Sequence, residues 1–205
     1  MLMADWKGER VDQTAHEDGF MRHIRACTSA RLPGDRLRFL IGEAQVGWVK
    51  PALADAMGTA VERRPGAVVL ADGGALYDLA RGLSDRGLFR FRREAFDVRA
   101  TPGGPVLGLL DRGAIPSFGI LAVGVHVNGL VRRPDGLHLW IGRRAADKAL
   151  DPGKLDHIVA GGVPAGLSPF ETLVKEAGEE AAIPPALAAQ ARHVGTLSYA
   201  MERPE

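Results

Sequence analysis

Several things are scarce in this sequence, and each scarcity narrows its class. Cys27 is the single cysteine. No disulfide can form within the chain, and the usage fits a reducing compartment, the cytoplasm. Nothing near Cys27 would activate its thiol, so it reads as a small packed or surface residue. Charge of either sign is not in excess, with a formal net charge of +1. That balance gives no electrostatic drive toward nucleic acid or an anionic membrane, and neither is expected as a partner. Long apolar runs are absent. The longest, 118-FGILAVGVHV-127, is too short to span a bilayer. The opening MLMADWKGERVDQ lacks the apolar stretch of a secretion signal. There is no internal repeat and no low-complexity tract.

What is present suits a globular protein. At 205 residues with 46% hydrophobic and 25% charged, the chain is long enough for one large or two small domains. After a flexible stretch over 1–15, residues 17–30 place Phe20, Ile24 and Cys27 at helical spacing. Two short strands are expected over 37–49 around Gly42, a helix over 50–60 begun by Pro51, and a strand over 67–71. A helix over 75–87 ended by Gly87 follows, then strands over 94–100 and 105–112 with a TPGG turn between. Residues 16–115 thus read as a small α+β domain without catalytic spacing. Arg22, His23 and Arg25 could hold an anion, although a solvated helix face accounts for them as well.

A break near 113-GAIPSFG-119 opens the second part, 116–205. Strands over 118–131 and 137–144 flank the turn 133-RPDG-136 as a β-hairpin. A polar loop leads to a strand at 155–160, then to 160-AGGVPAGLSPFETLVKEAGEEAAIP-184. Ser168, Pro169 and Glu171 form a strong helix start, with Ser168 as N-cap and Glu171 completing a capping box. Phe170, Leu173, Val174, Ala177 and Ala181 share one helical face, which reads as core. Glu176, Glu179 and Glu180 fall on another. Like charges at these spacings repel by roughly 0.2–0.5 kcal/mol per pair, with only Lys175 among them to compensate. A divalent cation, Mg²⁺ or Mn²⁺, would turn that repulsion into a binding site, since hard cations take carboxylate oxygens and bring phosphate with them. A solvated acidic face is the plain alternative. Upstream, Gly161, Gly162 and Gly166 permit close backbone approach and a sharp strand-to-helix loop. A short helix or turn after Pro184 and Pro185, and a strand over 193–201, complete the reading.

The frame of strand, glycines, loop, capped helix and carboxylates resembles a Nudix box, G-x5-E-x7-R-E-U-x-E-E-x-G-U with U apolar. Aligned from Gly161, the chain carries Leu167 for the first glutamate, Lys175 for the arginine, then Glu176, Ala177, Glu179 and Glu180, with Ala182 for the glycine and Ile183 last. A longer likeness runs through 21–30, 42–49, 117–120, 123–184 and 198–205. It identifies the chain with the Nudix proteins related to the one fused to thiamine pyrophosphokinase, which carry a further domain ahead of the Nudix fold and in which these departures are usual.

That resemblance implies a Nudix α/β/α sandwich with a mixed sheet after the N-terminal α+β domain. It implies Glu179 and Glu180 as metal ligands, and Glu176 as a ligand or the base for the attacking water. Glu176 and Glu180 are then the catalytic pair. The implied reaction is hydrolysis of a diphosphate linkage in a small molecule, thiamine diphosphate or an oxidised analogue, to the monophosphate. A non-catalytic module that binds a diphosphate is the alternative. Arg143, Arg144 and Lys148, just ahead of the box, are candidates for the diphosphate, Arg being suited to bidentate phosphate contacts, with ordinary surface charge as the other reading. His126, Asn128 and His157 are expected as packed or hydrogen-bonded residues, and Trp140 as a packing residue that could stack on a ring. From Ser117 to Glu205 the chain holds only part of such a domain. It is therefore expected to be incomplete at its C-terminal end, weakly active or inactive as written, or completed by a second copy as a homodimer.

Overall fold

The structure, a computed structural model, describes residues 2–4, 13–147 and 151–202. It contains helices and mixed sheets, an α+β arrangement. Two compact units form, and neither is continuous in sequence. One takes residues 33–126 and 159–189, and the other takes 1–32, 127–158 and 190–205.

In the 33–126/159–189 unit, β2 (Leu37–Ile41) and β3 (Ala44–Val49) make a hairpin whose turn uses Gly42 at φ 56°. β4 (Glu62–Arg64) pairs antiparallel with β5 (Ala67–Leu70), and β5 runs parallel to β2, giving the order β3-β2-β5-β4. The inner strand β5 is an uninterrupted apolar run because both its faces are buried, while β2 is broken only by the exposed Arg38. Phe39, Ile41, Val68 and Leu70 face the main core, and Leu40, Ala67 and Val69 form a second cluster. α2 (Pro51–Met57) contributes Leu53, Ala54 and Met57 to that main core, and α3 (Leu76–Asp85) contributes Leu76, Ala80 and Leu83. These spacings place each set on one helical face.

The same unit continues through the hairpin of β6 (Ala95–Val98) and β7 (Gly108–Asp111). Residues 113–119, which look like a break in sequence, instead form α4 (Ile115–Phe118). Phe118 is fully buried, edge-on to Phe39 at 5.2 Å and to Phe89 at 6.2 Å between ring centres. β8 (Gly124–Val127) then pairs with β12 (Val159–Gly162), and α5 (Pro169–Ala181) and α6 (Pro185–Ala188) complete the unit.

The other unit is built on the hairpin of β9 (Gly129–Arg133) and β10 (Gly136–Arg143), turning at Gly136 opposite Arg133. β1 (Leu2–Ala4) and β11 (Leu155–Asp156) also pair antiparallel with β10. α1 (Gln13–Cys27) covers most of the helix expected from Phe20 and Ile24, yet both side chains are exposed. The expected strand over 193–201 does not form. Leu197 is 92% exposed, and the segment's backbone is held at Ala200, whose carbonyl accepts from the Ala30 amide. Alternating apolar residues favour a strand only where a ladder partner and a covering face are supplied. No helix among the described residues is long and apolar enough to cross a membrane.

One buried charge anchors the β6–β7 region. Asp111 is fully buried, and its carboxylate accepts from the amides of Arg92 (2.8 Å), Glu94 (3.1 Å) and Gly113 (2.8 Å). Three charge-assisted bonds satisfy the group and fix the chain on either side of it. Asp111→Ala strands those donors and should lower unfolding stability by about 2–4 kcal/mol, read from the midpoint of urea denaturation. Leu110→Ala, a cavity variant of similar cost, serves as the reference.

Candidate metal and diphosphate site

The site is assembled where α5 lies on β12. α5 begins as its sequence predicts. Ser168 Oγ accepts from the Glu171 amide at 3.2 Å, and Glu171 Oε2 accepts from the Ser168 amide at 2.8 Å. The Ser168 amide, then its hydroxyl, hold the Glu171 carboxyl below its ordinary range. The helix ends at Ala182, in the left-handed region at φ 52°. This position is where the aligned pattern has glycine, the residue that adopts that conformation without a Cβ penalty.

The face that α5 buries matches the expected one at Ala177, with Leu173, Val174 and Ala181 half-buried, and departs from it at Phe170 and Thr172. Thr172 and Ala177 are buried, whereas Phe170 is 50% exposed. Close approach to a glycine strand selects small residues over large ones. Thr172 also satisfies its hydroxyl locally, donating to the Ser168 carbonyl at 2.9 Å.

Two of the three glutamates touch the glycine strand directly. Glu180 Oε2 accepts from the Ala160 amide at 2.9 Å. The Glu176 side chain lies over Gly161, where a Cβ would sit 2.7 Å from its Cγ and Cδ and 3.0 Å from Oε2. Glu176 is consequently half-buried, while Glu179 stays in solvent. Lys175 spans the pair, with Nζ 3.1 Å from Glu176 Oε1 and 2.8 Å from Glu179 Oε2. Those contacts, to Glu179 first and Glu176 second, raise the Lys175 pKa. Gly162 serves a different need. Its Cβ would meet the Phe96 ring at 2.6 Å, so β6 packs directly beneath the loop. The Ala165 amide donates to the Ala95 carbonyl at 2.8 Å, and Gly166 turns the loop at φ 79°.

The structure thus brings Gly161, Gly162, Gly166, Glu176, Glu179 and Glu180 together in one unit. Carboxylate oxygens are the donors that a hard divalent cation takes, but the ligand atoms of these three glutamates do not all lie within 4.8 Å of one another. Glu180 retains Oε1 beyond its backbone contact, and Glu176 is held at the strand rather than swinging in solvent.

The expected diphosphate cations stand differently. Arg143 and Arg144 belong to the other unit. Arg143 is exposed, with no ion pair among the described residues. Arg144 is engaged, with Nη1 2.8 Å from Asp156 Oδ2. Burial alone would raise the Asp156 pKa, but Arg144 and the His157 amide outweigh it and hold the carboxyl below its ordinary range. Lys148 lies outside the described residues. Asp156 is a residue that sequence reasoning missed. The pairing of β10 with β11, Gly142 opposite Asp156, is what carries it to Arg144, and no helical or box spacing marks it. Beside it, Asn128, Trp140, Leu155 and His157 help line an open pocket of about 270 Å³.

Gly161→Ala and Gly162→Ala should separate the two close approaches. The first meets a flexible carboxylate side chain, so it should displace Glu176, weaken Mn²⁺ binding at least tenfold and leave the unfolding midpoint nearly unchanged. The second meets an aromatic ring in the core and should cost about 1–3 kcal/mol of stability. Calorimetric Mn²⁺ titration and thermal unfolding of both variants check this.

No protein-family model matches the chain. It is similar to Nudix hydrolase 20, chloroplastic, of Arabidopsis thaliana, at 45% identity over 126 residues, which are 61% of this chain and 34% of that protein. Nudix hydrolase 24, chloroplastic, of the same plant is 44% identical over 118 residues, 57% of this chain and 32% of the relative. An uncharacterised protein of Saccharomyces cerevisiae is 37% identical over 75 residues, 36% of this chain and 22% of the relative. The chain spans about a third of the length of the two plant relatives it matches.

Proposed function

We propose that this chain belongs to a Nudix pyrophosphohydrolase, a metal-dependent enzyme that cleaves a diphosphate linkage in a small molecule. The observation that carries this reading is the seating of the glutamates. Glu180 is fixed by the Ala160 amide and Glu176 is laid over Gly161, so two of the three carboxylates of α5 are held on the glycine strand, with Glu179 in solvent. The two plant relatives, both named Nudix hydrolases, support it. Within that reading the chain takes the Nudix α/β/α sandwich, with the segment ahead of it as its N-terminal domain.

Glu176, Glu179 and Glu180 would hold Mg²⁺ or Mn²⁺, which when bound neutralises charge on the diphosphate. Glu176, half-buried against Gly161, is the carboxylate best placed to orient the attacking water and take its proton. The water oxygen forms a bond to one phosphorus, the P–O bond to the bridging oxygen breaks, and the second phosphate departs with that oxygen. Thiamine diphosphate or an oxidised analogue, cleaved to the monophosphate, is the substrate that the longer likeness favours. Arg143, at the end of β10, and Lys148 are the proposed phosphate contacts ahead of the box. Arg144 takes that role only by exchanging Asp156 for phosphate. The proposed setting is cytoplasmic, with no nucleic-acid or membrane partner and a homodimer as the assembly.

A second reading rests on Lys175. Its bridge between Glu176 and Glu179 compensates the cluster without a metal, as suits a module that binds a diphosphate without turnover. Glu180→Gln decides between the two. An enzyme should lose at least a hundredfold in phosphate release from a panel of thiamine diphosphates, ADP-ribose and nucleoside triphosphates, and EDTA should abolish the rest. A binding module should show no turnover before the substitution and unchanged ligand affinity after it.

A further inference from the structure

The segment before β6 carries a cationic loop that the carboxylate site does not explain. Arg90, Arg92 and Arg93 are exposed, and none makes an ion pair among the described residues. Guanidinium groups on a flexible loop would need no account, but this loop is held on both sides. Ser84 Oγ donates to the Phe89 carbonyl at 2.7 Å and accepts from the Phe91 amide at 3.1 Å. The buried Asp111 carboxylate takes the amides of Arg92 and Glu94. Arg93, between those two, stands at φ 61°. That left-handed conformation favours glycine or asparagine, so an arginine here keeps its guanidinium at a cost in backbone strain.

The loop runs directly into Ala95, whose carbonyl accepts from Ala165 in the glycine loop of the box. Phe96, the next residue, is the ring that requires Gly162. The arginines are thus tethered a few residues from the strand-to-helix loop. The cation beside the glutamates, Lys175, is already bound to two of them. Arginine suits phosphate oxygens because its planar fork donates two parallel hydrogen bonds.

We propose that the 90–93 loop is an anion-binding site for the phosphate oxygens of the diphosphate ligand, with Arg92 and Arg93 as its cationic contacts. This rests on the diphosphate reading above and assigns the segment ahead of the box a role in holding substrate.

The test is calorimetric titration of the intact chain with inorganic pyrophosphate in EDTA, so that no metal bridges the anion to the glutamates. Wild type should bind, and R92Q/R93Q should weaken binding at least tenfold with a shallower salt dependence. R132Q/R133Q, which removes two exposed arginines of β9, should leave binding unchanged. R93G should raise the unfolding midpoint by about 2 °C while weakening pyrophosphate, which separates loss of the contact from loss of the fold. The proposal is overturned if wild type does not bind pyrophosphate in EDTA, if R92Q/R93Q binds as wild type does, or if R132Q/R133Q weakens binding equally. E180Q, assayed for turnover in Mg²⁺, reports on the hydrolase reading alone. A failure there with the arginine effect intact would leave a phosphate-binding loop on a non-hydrolytic protein.

Discussion

The site depends on a missing atom. Gly161 has no Cβ, and the volume a Cβ would take is filled by the Glu176 side chain. With that approach made, the Glu180 carboxylate reaches the Ala160 amide, and the buried face of α5 comes down to Thr172 and Ala177 instead of the larger apolar residues beside them. Gly162 repeats the device on the side of β6, where an aromatic ring takes the space. Two adjacent glycines therefore set the seat of the helix above and the packing beneath the loop below. The carboxylate seat in the reading is located by those two contacts.

Electrostatics then works against the packing. Three glutamates in one helical stretch repel, and the capping box at Ser168 and Glu171 gives the helix a firm start from which to bear that repulsion. Lys175 offsets part of it at Glu176 and Glu179, while Glu180 is compensated by a backbone amide. The Glu176–Lys175–Glu179 bridge is the more exposed part of the arrangement, and exposed ion pairs are weak. A cation binding there would displace a contact of small strength.

Local chemistry was the legible part of the sequence. Turn glycines, proline starts, the capping box and the box glycines could be placed because each acts within a few residues of itself. The long-range consequences were less accessible. The apolar pattern of α5 predicts a core face containing Phe170, but which part of a broad apolar stripe is buried depends on its partner, and a glycine strand selects the smallest residues. The segment around Pro116 reads as a break because its turn residues dominate its pattern. Phe118 is buried there because α4 returns it to the Phe39 cluster. Asp111 and Asp156 each take one local amide, from Gly113 and His157, but their other donors arrive only when a ladder brings them. The strand expected over 193–201 failed for the complementary reason, as alternation cannot supply a ladder partner.

The threading of the two units has a consequence for how the chain comes to be folded. β8 leaves the 33–126 portion of its unit, and β12, its partner, arrives only after the whole of 127–158 has been made and has gone into the other unit. Closing an intervening loop of roughly thirty residues costs about 3 kcal/mol in chain entropy, less once the β9–β10 hairpin has shortened it. During synthesis the early core of Phe39, Val68 and Phe118 can form first, but the carboxylate helix has nowhere to settle until β12 is in place. The carboxylates of α5 are thus among the last residues of their unit to be organised, and the core of that unit can assemble ahead of them.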